Sequence, residues 1–257
     1  MKYAIVTVPA APVRKKPNHR AEMSNQLLFG EAVKVLKIRQ EKWLKVECLY
    51  DGYKGWLTNH LVTFTGKETA ALQVSKITSN FISTIKVNGL SMNIPAGSSL
   101  IGLARKNGGF EQFQYEFTGD AIEPVKINSK METLIANAHS WLNAPYLWGG
   151  KTILGVDCSG FVQTMYKLIG IPVARDAWQQ AQQGTLVKNL ADAQPGDLAF
   201  FDDKDEIVHV GILLGTDRII HSAGKVRIDT IDKKGIINAD TGKRTHRLKL
   251  VKRFLGG

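Results

Sequence analysis

Residues 147–170 read "LWGGKTILGVDCSGFVQTMYKLIG", and the cysteine in the middle of that stretch decides how the rest of the chain is understood. Phe161, Val162, Met165, Leu168 and Ile169 recur at helical spacing, which predicts an amphipathic helix over 158–169. Gly170 and then Pro172 close it in the usual order of C′ glycine followed by proline. Asp157 takes the N-cap position, so Cys158 lies in the first helical turn. There the unpaired N–H groups and the positive end of the helix dipole favour an anion, and the thiolate is the nucleophilic form of cysteine. A core cysteine belongs in the apolar stripe, whereas Cys158 stands between two polar residues. Nucleophile is the leading reading, with a buried structural cysteine and a metal ligand as the alternatives.

Downstream, the pattern turns to strands: "DLAFFD", "IVHVGILLG", "RIIHSA", "VRIDTI" and the closing "HRLKLVKRF". A cysteine nucleophile needs a base, and the six histidines are the candidates. His19, His60, His139 and His246 lie in loops or among charges and read as solvated. His209 differs, because it sits inside an apolar strand and shares a face with Gly211 and Leu213. A three-residue loop, 215–217, would pair Leu214 with Arg218 and set Gly211 opposite His221. The two histidines then become same-face diagonal neighbours, roughly 7–8 Å apart at Cα, with Gly211 clearing the space between. On this logic His209 is the base and His221 orients it. Cys158, His209 and His221 are also a possible zinc set, but the sequence offers neither a C-x-x-C nor an H-x-x-x-H pair.

Upstream, "SKMETLIANAHSWLNAPY" predicts a helix from Ser129 or Lys130 with Leu134, Ile135, Ala138, Trp141 and Leu142 on one face, stopped by Pro145. "RDAWQQAQQG" reads as a further helical piece ending at Gly184. Helices followed by an antiparallel sheet make an α+β domain over 129–257. Residues 1–65 show short strands and tight turns. In "WLKVECLY", Leu44, Val46, Cys48 and Tyr50 alternate with Lys45, Glu47 and Leu49, which turns Cys48 inward. A small β-barrel is expected there, and a second one over 66–128.

The chain has 257 residues, 44% hydrophobic and 22% charged, an ordinary globular composition. No run approaches the ~18 apolar residues of a membrane span. The net charge of +11 invites a polyanionic partner. The basic residues are scattered, however, with no recognition helix or aromatic interleaving, so a solvated basic surface is expected and no nucleic acid. If Met1 is the native start, the location is cytoplasmic; otherwise the protein is exported to the cell envelope. It is expected to be a monomer.

"APYLWGG…GVDCSGFVQTMY", "RDAWQQ…G" and "QPGDLAFFD…IVHVGILLG…RIIHSAG", in that order, resemble the NlpC/p60 family of cell-wall cysteine endopeptidases. The resemblance covers about half the chain, from near 130 to the C-terminus. It implies a compact papain-like α+β domain that cuts peptidoglycan stem peptides, with Cys158 as nucleophile, His209 as base and His221 as the polar third member. "VRKKPNHRAEMSNQLLFGEAVKVL…WLKVECLYDGYKGWL" resembles the bacterial SH3-like (SH3b) modules that precede such domains. Relatives with this arrangement split γ-D-glutamyl-L-diamino acid bonds in murein peptides, and their first barrel closes one end of the cleft. The resemblance then gives Glu22 and Tyr53 the free amine of an N-terminal L-alanine, a charge-assisted contact. It gives Tyr146 a share in stabilising the oxyanion, and makes Asp157, Ser159 and Asp176 pocket residues. Relatives often carry serine after that last aspartate, where this chain has Ala177. Trp148 and Trp178 are either cleft walls or core aromatics. No cofactor is implied. Two rival functions stand beside this one: a wall-binding protein with a silent catalytic domain, and an acyltransferase on the same scaffold. The third residue of the substrate is left open between meso-diaminopimelate and lysine.

Overall fold

A computed structural model describes residues 2–72 and 74–256. The chain forms two compact units, one of residues 1–126 with 148–153 and one of residues 127–147 with 154–257. Among the described residues no helix is long and apolar enough to cross a membrane.

The N-terminal unit is almost entirely β. Strands β1 (Lys2–Val6), β2 (Ala10–Arg14), β3 (Met23–Leu28), β4 (Ala32–Arg39), β5 (Trp43–Cys48), β6 (Lys54–Thr58) and β7 (Val62–Thr65) form one antiparallel sheet in the order β3-β2-β6-β5-β4-β1-β7. The alternation seen in the sequence places Leu44, Val46 and Cys48 in its core with Val13, Val33 and Leu57. The turn after β5 depends on Gly52, whose φ of 72° suits glycine.

After the short helix α1 (Lys67–Ala70) come β8 (Ile77–Thr78), β9 (Ile82–Val87), β10 (Leu90–Pro95), β11 (Asn107–Phe110), β12 (Phe113–Phe117) and β13 (Ala121–Ile122). Four of them make the sheet β10-β9-β12-β11, while β8 and β13 pair separately. Phe29, from the end of β3, packs into the core of this second module with Ile85, Ile94, Leu100, Tyr115 and Phe117. The two β modules are therefore held together by shared apolar burial. The two-residue strand β14 (Lys151–Thr152) also belongs to this unit.

The C-terminal unit starts with helix α2 (Lys130–Ser140), which stops five residues before Pro145. Trp141 caps it and Asn143 turns the chain with φ 69°. Then follow β15 (Gly155–Val156), α3 (Cys158–Leu168) and α4 (Ala177–Gln180), the last much shorter than the expected helical piece. Strands β16 (Thr185–Val187), β17 (Leu198–Asp203), β18 (Glu206–Leu213), β19 (Arg218–Ala223), β20 (Lys225–Asp232), β21 (Gly235–Ile237) and β22 (Arg244–Arg253) complete the chain. They pair in the order β16-β22-β17-β18-β19-β20-β21, and a further β21–β22 ladder closes the last six into a barrel.

Every residue of α3 is buried, which is why its polar members Gln163 and Thr164 coexist with Phe161, Val162 and Met165 in one short helix. The basic run in β22 is matched by acidic side chains of the same unit. Arg247 pairs with Asp202, Lys249 with Asp205 and Asp202, Arg253 with Asp197 and Arg244 with Asp232.

Candidate active site

Asp157 caps α3 as expected: its Oδ1 accepts the Gly160 N–H at 2.7 Å, and its backbone is extended at φ −87°. Cys158 is the first helical residue and only 6% exposed. The backbone N–H groups of Val210 and Ser159 act on its sulfur, which puts the thiol beside the strand that carries His209. They do not prevail. Burial, aided by the Asp157 carboxylate, pushes the thiol up to about 12. The direction is opposite to the one the helix end alone would give, because desolvation of a buried sulfur opposes its charge.

The β18–β19 hairpin has the anticipated register. The Leu214 N–H bonds the Arg218 carbonyl, and the ladder pairs Leu213 with Ile219 and Ile212 with Ile220. One step further Gly211 faces His221, and a Cβ at Gly211 would lie 2.8 Å from the His221 Cβ. In the space so cleared, His209 Nε2 and His221 Nδ1 meet at 2.7 Å. His221 Nε2 in turn reaches Asp229 Oδ2 at 2.9 Å.

Asp229, on β20, was not among the residues singled out in the sequence. It is 2% exposed, and its carboxylate also accepts from Arg227 Nε and Nη2 and from the Ala239 N–H. Burial opposes its charge, but the hydrogen bonds from His221 and Arg227 hold its pKa well below the usual carboxylate range.

An ionised Asp229 sets the protons of the whole chain. It accepts a hydrogen bond from His221 Nε2–H, which leaves His221 Nδ1 as an acceptor. His209 must then donate from Nε2–H, and its Nδ1 carries the free lone pair that a general base requires. Burial above all, with His221 beside it, holds His209 well below the ordinary histidine value, so this base is neutral at neutral pH.

His246 also departs from its expected surroundings. It lies on the expected closing strand, β22, but is half-buried rather than solvated, and its ring stacks on His209 with centroids 4.2 Å apart and planes at 23°. The period-two pattern of the closing strand could have pointed to it, since Thr245 and Arg247 on either side are exposed while His246 is half-buried.

Tyr146 is half-buried near Cys158, Asp157 and Arg175, and burial raises its phenol to about 12, so it remains an O–H donor. Asp157 and Ser159 turn their polar atoms to Arg175, which was also missed in the sequence. Arg175 Nη1 and Nη2 bond the two Asp157 oxygens at 3.0 and 2.6 Å, and Nη1 donates to Ser159 Oγ at 2.8 Å. Arg175 is 1% exposed, so the pair is a buried ion bridge anchoring the start of α3. Asp176 forms a capping box with Gln179 at the start of α4. Trp178 is 51% exposed, which removes it from the core.

Glu22 and Tyr53 lie in the N-terminal unit. Glu22 Oε1 accepts the Trp148 Nε1–H at 2.7 Å and Oε2 pairs with Lys15 at 2.9 Å, contacts that hold its pKa down. The Tyr53 hydroxyl donates to the Ser24 carbonyl at 3.3 Å. Trp148 is 56% exposed, again no core aromatic. Among the described residues no three His, Cys, Asp or Glu side chains form a metal-holding group.

Comparison with known proteins bears on this geometry. Residues 143–245 match the model of the NlpC/P60 family, and residues 13–60 match that of the bacterial dipeptidyl-peptidase Sh3 domain. The chain is 31% identical to the gamma-D-glutamyl-L-lysine dipeptidyl-peptidase of Bacillus subtilis over 78% of its own length and 72% of the relative's. It is 26% identical to dipeptidyl-peptidase 6 of Lysinibacillus sphaericus over 90% and 92% of the two chains. Among solved structures, an NlpC/P60 family protein from Bacillus cereus superposes with a TM-score of 0.81 at 22% identity, covering 99% of this chain and 100% of that one, a likeness of fold.

Proposed function

The chain belongs to the NlpC/P60 family, and from that premise we propose that it is a cysteine hydrolase that releases L-Ala-γ-D-Glu from murein peptides by cutting the γ-D-glutamyl–L-diamino acid bond. The observation that carries the reading is the hydrogen-bonded chain His209–His221–Asp229 beside Cys158. Two of the proteins compared are dipeptidyl-peptidases by name, and the Bacillus subtilis one is named for a gamma-D-glutamyl-L-lysine substrate.

Cys158 Sγ attacks the γ-carbonyl carbon while its proton passes to His209 Nδ1. The carbonyl π electrons move to oxygen, and that oxyanion takes hydrogen bonds from the Cys158 N–H and the Tyr146 hydroxyl. Collapse breaks the C–N bond, and His209 returns its proton to the departing amine. Water, deprotonated by His209, then attacks the thioester, releasing the dipeptide and the thiol. His221 and Asp229 keep His209 in the required tautomer throughout.

The proposal extends to substrate recognition. Glu22, ionised by its contacts with Lys15 and Trp148, and Tyr53 are assigned the free ammonium of the N-terminal L-alanine. Asp157, Ser159 and Asp176 are assigned to the pocket, with Arg175 fixing the first two.

The test is incubation with L-Ala-γ-D-Glu-L-Lys, its diaminopimelate counterpart and their N-acetylated forms, with products read by mass spectrometry. Wild type should release L-Ala-γ-D-Glu from the free peptides and act on the acetylated ones at least tenfold more slowly, the scale of one charge-assisted contact. Cleavage by Cys158→Ala, or none by wild type, would overturn the enzymatic reading. Equal rates on free and acetylated peptides would remove Glu22 and Tyr53 from it.

A further inference from the structure

His246 is the nearest ring to His209 and has no part in the hydrogen-bonded chain. Its imidazole lies nearly parallel to that of His209, 4.2 Å away at 23°, whereas His221 meets His209 edge-on at 82°. Phe201 stands tilted to His209 at 5.8 Å and edge-on to His246 at 5.9 Å. Among the described residues three rings surround the base, and of these His246 is the one stacked flat on it.

The position of His246 is set by the barrel's closing ladder, where it pairs with Ile236 of β21. That closure needs Gly235, at φ 129°. A Cβ there would come within 1.8 Å of the His246 carbonyl oxygen.

A flat π face 4.2 Å from an imidazole that cycles between neutral and cationic forms does two things. It limits rotation of the base about its Cβ–Cγ bond, and it offers a quadrupole to the positive charge that appears on His209 when the thiol proton arrives. Both require that the stacked ring carry no charge of its own. His246 meets this condition: burial and the neighbouring His221 lower it to about 4. Its Nδ1 also lies 2.9 Å from Thr245 Oγ1, a local contact that fixes the ring's own rotation.

We infer that His246 is a positioning residue for the general base, a neutral aromatic cap that orients His209 and stabilises its imidazolium during thiol deprotonation. The inference rests on His209 being the base of a cysteine hydrolase. It adds that the base depends on a fourth β-strand, β22, which contributes no hydrogen bond to the reacting groups.

The experiment compares kcat and KM for wild type, His246→Phe, His246→Leu and His246→Arg on L-Ala-γ-D-Glu-L-Lys, with His209→Ala as control. Each rate is taken per folded molecule by near-ultraviolet circular dichroism. Phe keeps a neutral π face and should hold kcat within about twofold of wild type. Leu fills the space without a ring and should lower kcat about tenfold with KM unchanged, the scale of one desolvated cation–π contact. Arg places a permanent cation beside the developing imidazolium and should lower kcat further. Should Leu fail to fold, Met supplies the same apolar volume without a ring.

Equal kcat for Phe and Leu would overturn the inference, and so would a loss confined to KM, which would make His246 a substrate contact. If His209→Ala is inactive and every His246 variant matches wild type, the inference fails while the proposed function stands. If wild type itself leaves the peptide intact, both fall.

Discussion

At the scale of single residues, the reactivity of this site is set by enclosure. Cys158 and His209 are both buried, and burial moves them in opposite directions, the thiol upward and the imidazole downward. Each shift favours the neutral form. Alkylation of Cys158 by iodoacetamide should therefore keep accelerating as pH rises beyond 9, because the thiolate fraction grows until the raised pKa near 12 is passed. A plateau reached near neutral pH would instead reveal a resting thiolate–imidazolium pair. For His209 the sign is opposite. A base whose pKa lies well below 6.5 remains unprotonated at pH 6, so the acid limb of kcat/KM should fall below that pH.

Asp229 acts one step further out. Asp229→Asn removes the charge that holds His221 Nε2 protonated. It should lower kcat roughly a hundredfold with little change in KM, the low end of what general-base catalysis contributes. A normal kcat in that variant, measured on the tripeptide, would show that His221 keeps its tautomer unaided.

At the scale of elements, the hairpin β18–β19 does the work of assembling the base. Its three-residue loop puts His209 and His221 on one face, and Gly211 leaves room for them to meet. Gly211→Ala would place a Cβ 2.7 Å from the Ile219 Cδ1 and 2.8 Å from the His221 Cβ. The strand must shift, and overpacking of this kind costs about 1–3 kcal/mol. A drop in Tm together with at least tenfold lower kcat is expected, since the shift lengthens and misaligns the 2.7 Å contact that orients the base. Unchanged activity would mean that the histidines do not need this register.

Much of this hairpin was legible in advance. Parity, loop length and the lone glycine are local properties, and they predicted which face each histidine takes. The partner of His221 was not legible. Asp229 lies on the next strand within "VRIDTID", where it alternates like any other residue. Nothing in that alternation says that its neighbours across the sheet are histidines. Arg175 was hidden for a similar reason: a charged residue in a loop reads as exposed, yet it is buried because Asp157 neutralises it.

For the whole molecule, the segment 148–153 illustrates how far chain order and packing diverge. It lies between Tyr146 and Cys158 in sequence but belongs to the N-terminal unit. Within that unit the Lys151 ammonium is 3.5 Å from Glu31 Oε1, with both side chains almost fully enclosed, and Glu31 Oε2 accepts the Leu28 N–H. The Lys151 N–H bonds Gln26 Oε1 at 2.9 Å. Removing one charge leaves the other without its counter-ion in a dry interior, at about 3–5 kcal/mol. Glu31→Gln should therefore lower the Tm sharply. Glu31→Gln combined with Lys151→Met should recover most of the loss, because the buried charge is then gone as well. A double variant as unstable as the single one would show that Lys151 contributes through something other than charge.

Local order along the chain was sufficient to determine the helix that begins at Cys158, the inward side of β5, the face shared by His209 and His221, and the order of motifs that identifies the family. Each depends on residues within a few positions of one another, where period and capping chemistry leave little choice. Only the tertiary structure decided the environment of these groups. Asp229 and His246 come to the base from strands 20 and 37 residues beyond His209, and burial of Cys158 beside Asp157 opposes the charge of its thiolate. Desolvation and ring contacts depend on what surrounds a group in space. For that reason the sequence announced a nucleophile and its base, while their surroundings were decided by the fold.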